Sequence, residues 1–143
     1  MILIKWYNGK DDLTDAHTVR AKVFINEQNV PAELELDDKD NISQHIVIYD
    51  DKKALATGRL LEENGEYLIG RIAVLKEERK NGYGNIVVKN LIQRAIKDGA
   101  KEVKVHAQIR AAGFYEKLGF IRDGEEYIEE GTNITHVHMV YKI

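Results

Sequence analysis

Three features of the chain predict an α+β fold, a mixed sheet with helices on both faces: three strands in a row parted by turn signals, one strongly periodic helix after them, and a closing alternation of strand, short helix and strand. Ile2 to Tyr7 reads as the first strand. Asp12 caps a helix in which Leu13, Ala16, Val19, Val23 and Phe24 recur at helical spacing. Pro31 marks irregular structure. The acidic run Glu33-Leu34-Glu35-Leu36-Asp37-Asp38 reads as a solvated loop or short helix in preference to a cation or amine site, although it could attract a basic substrate. Strands follow over Gln44–Tyr49, Lys53–Leu61 and Tyr67–Leu75, with turns at Asp50-Asp51 and Asn64-Gly65, so an antiparallel meander is expected. From Ile86 to Lys97, the residues Val87, Val88, Leu91, Ile92, Ala95 and Ile96 form one apolar stripe that stops at Gly99. Glu102 to Gln108 alternates Val103, Val105 and Ala107 inward, Ala111 to Leu118 makes a short helix closed by Gly119, and Val137 to Ile143 supplies the last strand.

With 143 residues, 43% of them hydrophobic, the chain has enough apolar surface for one domain, residues 1–143, with its own core. A formal net charge of −3 argues against a general nucleic-acid binder. The absence of cysteine excludes disulfides, thiolate metal sites and a cysteinyl acyl-enzyme. Ser43 is the only serine and lies in no Gly-x-Ser-x-Gly setting, which argues against a serine hydrolase. The apolar runs are too short to span a bilayer and Met1 to Trp6 lacks a signal-peptide pattern, so no membrane partner is expected and the cytoplasm is the expected setting.

The segment Arg79-Lys80-Asn81-Gly82-Tyr83-Gly84-Asn85 sits between a strand and the periodic helix. Two glycines let the backbone approach an anion, the first helical turn has N–H groups without intrahelical partners, and Arg79 and Lys80 add charge. The same pattern also serves as an ordinary tight connection. It is not a Walker A loop, because no Gly-Lys-Ser/Thr follows, and it lacks the third glycine of the dinucleotide fingerprint.

A second segment, Phe114-Tyr115-Glu116-Lys117-Leu118-Gly119-Phe120, follows some thirty residues later. Together with Arg79-x-x-Gly82-x-Gly84, it makes the chain resemble the GNAT superfamily of acetyl-CoA-dependent N-acetyltransferases over nearly its whole length. The run Arg20-x-x-Val23-Phe24-x-x-Glu27-Gln28-x-Val30-Pro31 resembles a branch of small bacterial members. The resemblance implies about six to seven strands, mostly antiparallel and splayed at a cofactor wedge, with about four helices. It implies acetyl-CoA as cofactor, a small-molecule or peptide amine as acceptor, direct attack in a ternary complex, and leaves a homodimer open.

By the same resemblance, Ile72, Ala73 and Val74 hold the pantetheine arm through unpaired backbone groups, and Arg79, Lys80, Asn81, Gly82, Tyr83, Gly84 and Asn85 hold the pyrophosphate. Gln108, where many relatives carry asparagine, and Phe114 and Lys117 add cofactor contacts. Tyr115 donates to the departing sulfur, although its helical position alone favours a core tyrosine. Many members carry a basic carboxylate near the splayed strand, but Leu68-Ile69-Gly70-Arg71 offers none. Glu27 is the best remaining candidate for the base, with loop ordering, substrate binding or a water chain as the alternatives. Gln28, Arg71 and His136 are candidate acceptor contacts. His136 and His138 share a strand face without a third ligand at diagnostic spacing, so no metal is expected. The rivals to catalysis are a CoA-binding regulatory module without turnover and a nucleotide-binding protein using the glycine loop.

Overall fold

A computed structural model describes residues 1–143. The meander forms as expected: β1 (Ile2–Asn8), β2 (Ser43–Asp50), β3 (Lys53–Glu63) and β4 (Glu66–Val74) pair antiparallel in chain order. Asn64 and Gly65, at φ 54° and 82°, make the two-residue turn between β3 and β4, where both central residues need the left-handed region. β5 (Glu102–Gln108) lies parallel to β4, and β8 (Thr135–Lys142) returns antiparallel to β5. Two short strands outside the sequence expectation, β6 (Ile121–Arg122) and β7 (Tyr127–Ile128), also pair with β8 and bring the sheet to eight.

Alternation along β2 divides the core. Ile46 and Ile48 face α3 (Tyr83–Lys97) together with Leu60 and Ile69, while Val47 and Tyr49 face α1 (Thr14–Arg20). The apolar stripe of α3 is buried as its spacing requires, with Val87, Val88, Leu91 and Ala95 fully enclosed. Its C-terminus closes at Gly99, φ 100°, where the Ala100 N–H returns to the Ala95 carbonyl at 2.9 Å. Gly58 on β3 lets α3 sit against the sheet: a Cβ there would lie 2.6 Å from Val87 Cγ1 and 2.8 Å from Leu91 Cδ1.

Several local expectations are corrected. Leu13, not Asp12, occupies the cap position of α1; Asp12 still accepts from the Thr14 N–H at 3.0 Å, one residue further out. After Arg20 the helix widens into a π-helical stretch, Ala21–Glu27, closed by the Gln28 N–H on the Val23 carbonyl. α3 begins at Tyr83, three residues before the expected Ile86, because Gly82 at φ 83° turns the chain directly into the helix. α4 (Ala112–Lys117) is preceded by a 3₁₀ turn over Ile109–Ala111.

The acidic run is the largest correction. It does form a short helix, α2 (Ala32–Glu35), and Glu33 and Asp38 stay exposed, but Glu35 turns into the interior, as does Asp40 just beyond the run, and arginines neutralise both. Arg20, 1% exposed, meets Glu35 Oε2 at 2.9 Å and Asp40 Oδ1 at 2.8 Å. Arg59 meets Asp37 at 2.8 Å and Asp40 at 3.0 Å, and Arg71 meets Glu35 at 2.9 Å and Asp37 at 3.1 Å. Three guanidinium groups thus balance three carboxylates.

Candidate active site

β4 and β5 are in register only at Leu68 with Lys104 and Ile69 with Val105. Beyond that seam the strands part, and the gap opens into a cavity of about 650 Å³. Gly70 to Val74 line it from β4 and Val105 to Gln108 from β5, with Val23, Phe24 and Gln28 from the first helical arm and Phe114 and Tyr115 from α4. A bulge shapes the β4 wall. Thr57 pairs with Ala73 but Arg59 with Gly70, so Arg71 and Ile72 together oppose Gly58. Arg71 takes φ 50°, an uncommon value for a residue with a Cβ. The buried ion cluster and the carbonyls of Leu34 and Glu35 hold its guanidinium.

At the mouth, none of the six backbone N–H groups from Lys80 to Asn85 bonds to another backbone or side-chain oxygen; the first helical amide to do so is Ile86, on Gly82. Lys80 at φ 72° and Gly82 at φ 83° curl these amides into a concave nest at the helix N-terminus. Gly84 packs under Phe114, whose Cζ would stand 3.4 Å from an added Cβ. Arg79 grips Glu27 with two bonds of 2.6 and 2.7 Å and donates from Nε to the Val74 carbonyl at 3.2 Å. Those bonds and the charge of Arg79 hold the Glu27 carboxyl below the usual carboxylate range, against a smaller opposing effect of burial.

Across the gap, Gln108 Nε2 donates to Gln28 Oε1 at 2.8 Å, and Arg110 Nε donates to Gln108 Oε1 at 3.2 Å. Tyr115 is only 6% exposed and burial pushes its phenol well above the usual value; its hydroxyl makes no hydrogen bond within the protein and, since no buried side-chain oxygen is left without a partner, opens onto the cavity. On β8, His136 is buried with Nδ1 2.8 Å from the Ile134 carbonyl and Nε2 3.3 Å from Glu129 Oε2.

A family model described as Acetyltransferase (GNAT) domain matches residues 10–143. The chain belongs to the GNAT acetyltransferase family. It is 40% identical over 133 residues to a Bacillus subtilis (strain 168) protein named uncharacterized N-acetyltransferase YjcF, covering 92% of this chain and 94% of that one. Its fold is similar to the crystal structure of Escherichia coli ElaA, with a TM-score of 0.88 at 24% identity over 99% of this chain and 100% of that one. It is also similar to a GNAT family acetyltransferase from Elizabethkingia anophelis with acetyl-CoA bound, with a TM-score of 0.76 at 16% identity over 99% and 98% of the two chains. The GNAT fold accounts for the parted strands, and the chain is an acyltransferase. No helix is long and apolar enough to cross a membrane.

Of the residues singled out in the GNAT chain's sequence, Gln28, Arg71, Ile72, Ala73, Val74, Arg79, Gly84, Gln108, Phe114, Tyr115 and His136 line the one cavity. Ala73 at the same time buries its methyl beneath α1 with Val19 and Val23. Lys80, Asn81, Gly82, Tyr83 and Asn85 are not in the lining; they flank Gly84, which is, in the turn and first residues of α3. Glu27 and Lys117 stand outside the lining, Lys117 at the exposed end of α4. The Val74 carbonyl, expected to be free, is taken by Arg79. Sequence reasoning missed Glu129 and Arg110. The signal for Glu129 was weak, an acidic residue seven positions before His136 with Gly131 between them. His136 and His138 alternate on one face, and no third His, Cys, Asp or Glu joins them to hold a metal ion.

Proposed function

We propose that this acetyltransferase moves an acetyl group from acetyl-CoA to a primary amine bound in the same cavity, by direct attack with both present. Tyr115 carries this reading: a mostly buried side chain whose hydroxyl has no protein partner and opens onto a cavity whose mouth offers unpaired amides. The residues fit acetyl-CoA. The amides of Lys80 to Asn85 suit phosphate oxygens, with Arg79 and Lys80 adding positive charge at the rim. Gly82 and Gly84 keep side chains out of that approach. Ile72 to Val74 have no strand neighbour on the β5 side, so their backbone can take an amide-bearing arm as an added strand, Val74 exchanging Arg79 for it. Gln108 and Phe114 complete this side, and Lys117, outside the lining at the exposed end of α4, adds positive charge toward the phosphates.

Bound, acetyl-CoA supplies a thioester whose acyl carbon the amine attacks and whose sulfur departs. Tyr115 meets that sulfur as a hydrogen-bond donor. An ordinary phenol of pKa about 10 would lose about 2 kcal/mol in giving its proton to a thiolate of pKa about 8.5, and burial raises the cost further, so Tyr115 keeps its proton. Gln28, Arg71 and His136 line the acceptor side. Glu27 fixes Arg79, and a carboxylate so engaged is a poor base. The lack of cysteine, and the burial of the single serine, Ser43, with its hydroxyl on the Lys39 carbonyl, support direct transfer without an acyl-enzyme.

The test is thiol release from acetyl-CoA across a panel of amines, a clean readout in a cysteine-free protein. Tyr115→Phe is expected to lower kcat by about 10²-fold while acetyl-CoA affinity and thermal stability stay unchanged, because no internal hydrogen bond is lost. Acetyl-CoA bound by calorimetry with no turnover of any amine would favour a regulatory binding module. Failure to bind acetyl-CoA would overturn the reading.

A further inference from the structure

The acceptor amine reaches the cavity as an ammonium ion, and neither β4, with Leu68 to Arg71, nor Glu27, held by Arg79, offers a free carboxylate to take its proton. The opposite wall does. His136 Nδ1 lies 2.8 Å from the Ile134 carbonyl, and a carbonyl only accepts, so Nδ1 carries the hydrogen. In the neutral ring, Nε2 is then bare and faces Glu129 Oε2 at 3.3 Å. Two acceptors at that distance repel unless a proton or an N–H donor comes between them. Both residues line the cavity, and Glu129 is 45% exposed, which gives the pair a way out to solvent.

We propose that His136 and Glu129 form the proton-accepting pair for the amine, with His136 Nε2 as the base and the Glu129 carboxylate as the group that first receives the ammonium and then balances the imidazolium. This inference rests on the acetyl-transfer reading above. The ammonium gives one proton to Nε2 and becomes the free amine. The amine nitrogen forms the new bond to the acyl carbon as the carbon–sulfur bond breaks. The second nitrogen proton ends on the departing sulfur, and the first leaves His136 for water past Glu129.

The position is built for this. His136 is held in register between Gln108 of β5 and Tyr127 of β7, whose ring stacks on it at 5.8 Å. The turn carrying Glu129 is pinned by its own backbone: the Glu129 N–H donates to Ile134, and the Glu129 carbonyl accepts from Thr132 and Asn133. Around the pair stand Tyr127 and His138, with His106 and Lys104 on β5, and Arg71 and Arg110 line the same cavity. The two histidines stack on each other at 4.3 Å and are exposed.

The experiment is the pH profile of kcat/KM, with the best amine of the panel, for the unaltered protein, His136→Gln and Glu129→Gln. The unaltered protein is expected to lose activity on an acid limb. His136→Gln should replace that limb with one that climbs tenfold per pH unit toward the amine's own pKa, lower kcat at pH 7 by about 10²-fold, and be rescued by added imidazole. Glu129→Gln should raise the KM for the amine and slow transfer at pH 7, because the ammonium loses the carboxylate that first receives it. A His136→Gln profile parallel to that of the unaltered protein overturns the proposal while the acetyl-transfer reading stands; silence of the unaltered protein toward every amine ends both. Nitrogen-15 NMR of the imidazole in the unaltered protein adds a test free of folding defects: hydrogen on Nδ1 above the titration supports the pair, and hydrogen on Nε2 overturns it.

Discussion

Replacing Arg20 with methionine tests the buried ion cluster that underlies the β4 wall. The substitution keeps much of the side-chain volume and removes the guanidinium that links Glu35, 2% exposed, to Asp40, 6% exposed. Glu35 then depends on Arg71 alone and Asp40 on Arg59 and His17, and three carboxylates face two arginines. Removing one partner from a buried ion pair costs about 3–5 kcal/mol, a large part of the about 5–15 kcal/mol that holds a domain folded. For a chain of this length, that corresponds to a fall in Tm of roughly 10–20 °C. Urea denaturation followed by the fluorescence of Trp6, the single tryptophan, measures the loss. The double variant Arg20→Met with Glu35→Gln restores the balance of charge and should recover part of it. Acid sharpens the test. Burial works against the Asp40 carboxylate, but hydrogen bonds and charge from Arg20 and Arg59 outweigh it and hold the group well below the usual range. A depressed folded-state pKa contributes stability that is present above the unfolded value of about 3.9 and is lost as pH falls through the folded one. Arg20→Met should raise that folded pKa and start the acid loss at higher pH. A cost within 1 kcal/mol, or a double variant less stable than the single one, would refute the reasoning; these bounds follow from the coupling expected of contacting residues, about 0.5–3 kcal/mol.

Gly58→Ala should destabilise by about 1–3 kcal/mol, since its Cβ meets two enclosed methyl groups of α3, whereas Gly70→Ala, with nothing within 4 Å, should leave thermal unfolding unmoved. Because α3 carries the nest of free amides, Gly58→Ala should also weaken acetyl-CoA binding measured by calorimetry. Glu27→Gln separates anchoring from base catalysis: loosening Arg79 should raise the KM for acetyl-CoA and leave kcat and its pH profile nearly unchanged, and a lost pH limb would return Glu27 to the role of base.

The elements that sequence reasoning placed well are those encoded by neighbours in the chain. Asn64-Gly65 declares its turn, the α3 stripe repeats every three or four residues, and Gly82-x-Gly84 sits where a helix must begin. What escaped depends on partners far apart in sequence. Nothing local in Glu33 to Asp38 reveals that Arg20, Arg59 and Arg71 will converge on it, so an internally neutralised cluster reads as a solvated acidic run. The bulge at Arg71 carries no glycine or asparagine to announce its positive φ. β6 and β7, two residues each, are too short to show a period, and the approach of Glu129 to His136 is set by a turn whose side-chain outcome only the folded chain defines.

The seam at Leu68 and Ile69 makes the sheet behave as two stiff plates on a narrow hinge. One plate is the meander of β1 to β4, the other is β5 with its partners, and ladder bonds tie them at two residue pairs only. The angle between the plates is therefore set chiefly by what is wedged behind them, the side chains of α3 against the first plate and Tyr115 and Phe120 against the second. Changes of volume in that packing, well away from any reacting atom, will widen or narrow the cleft. The width that admits an acceptor is thus written in the core as much as in the residues that touch it.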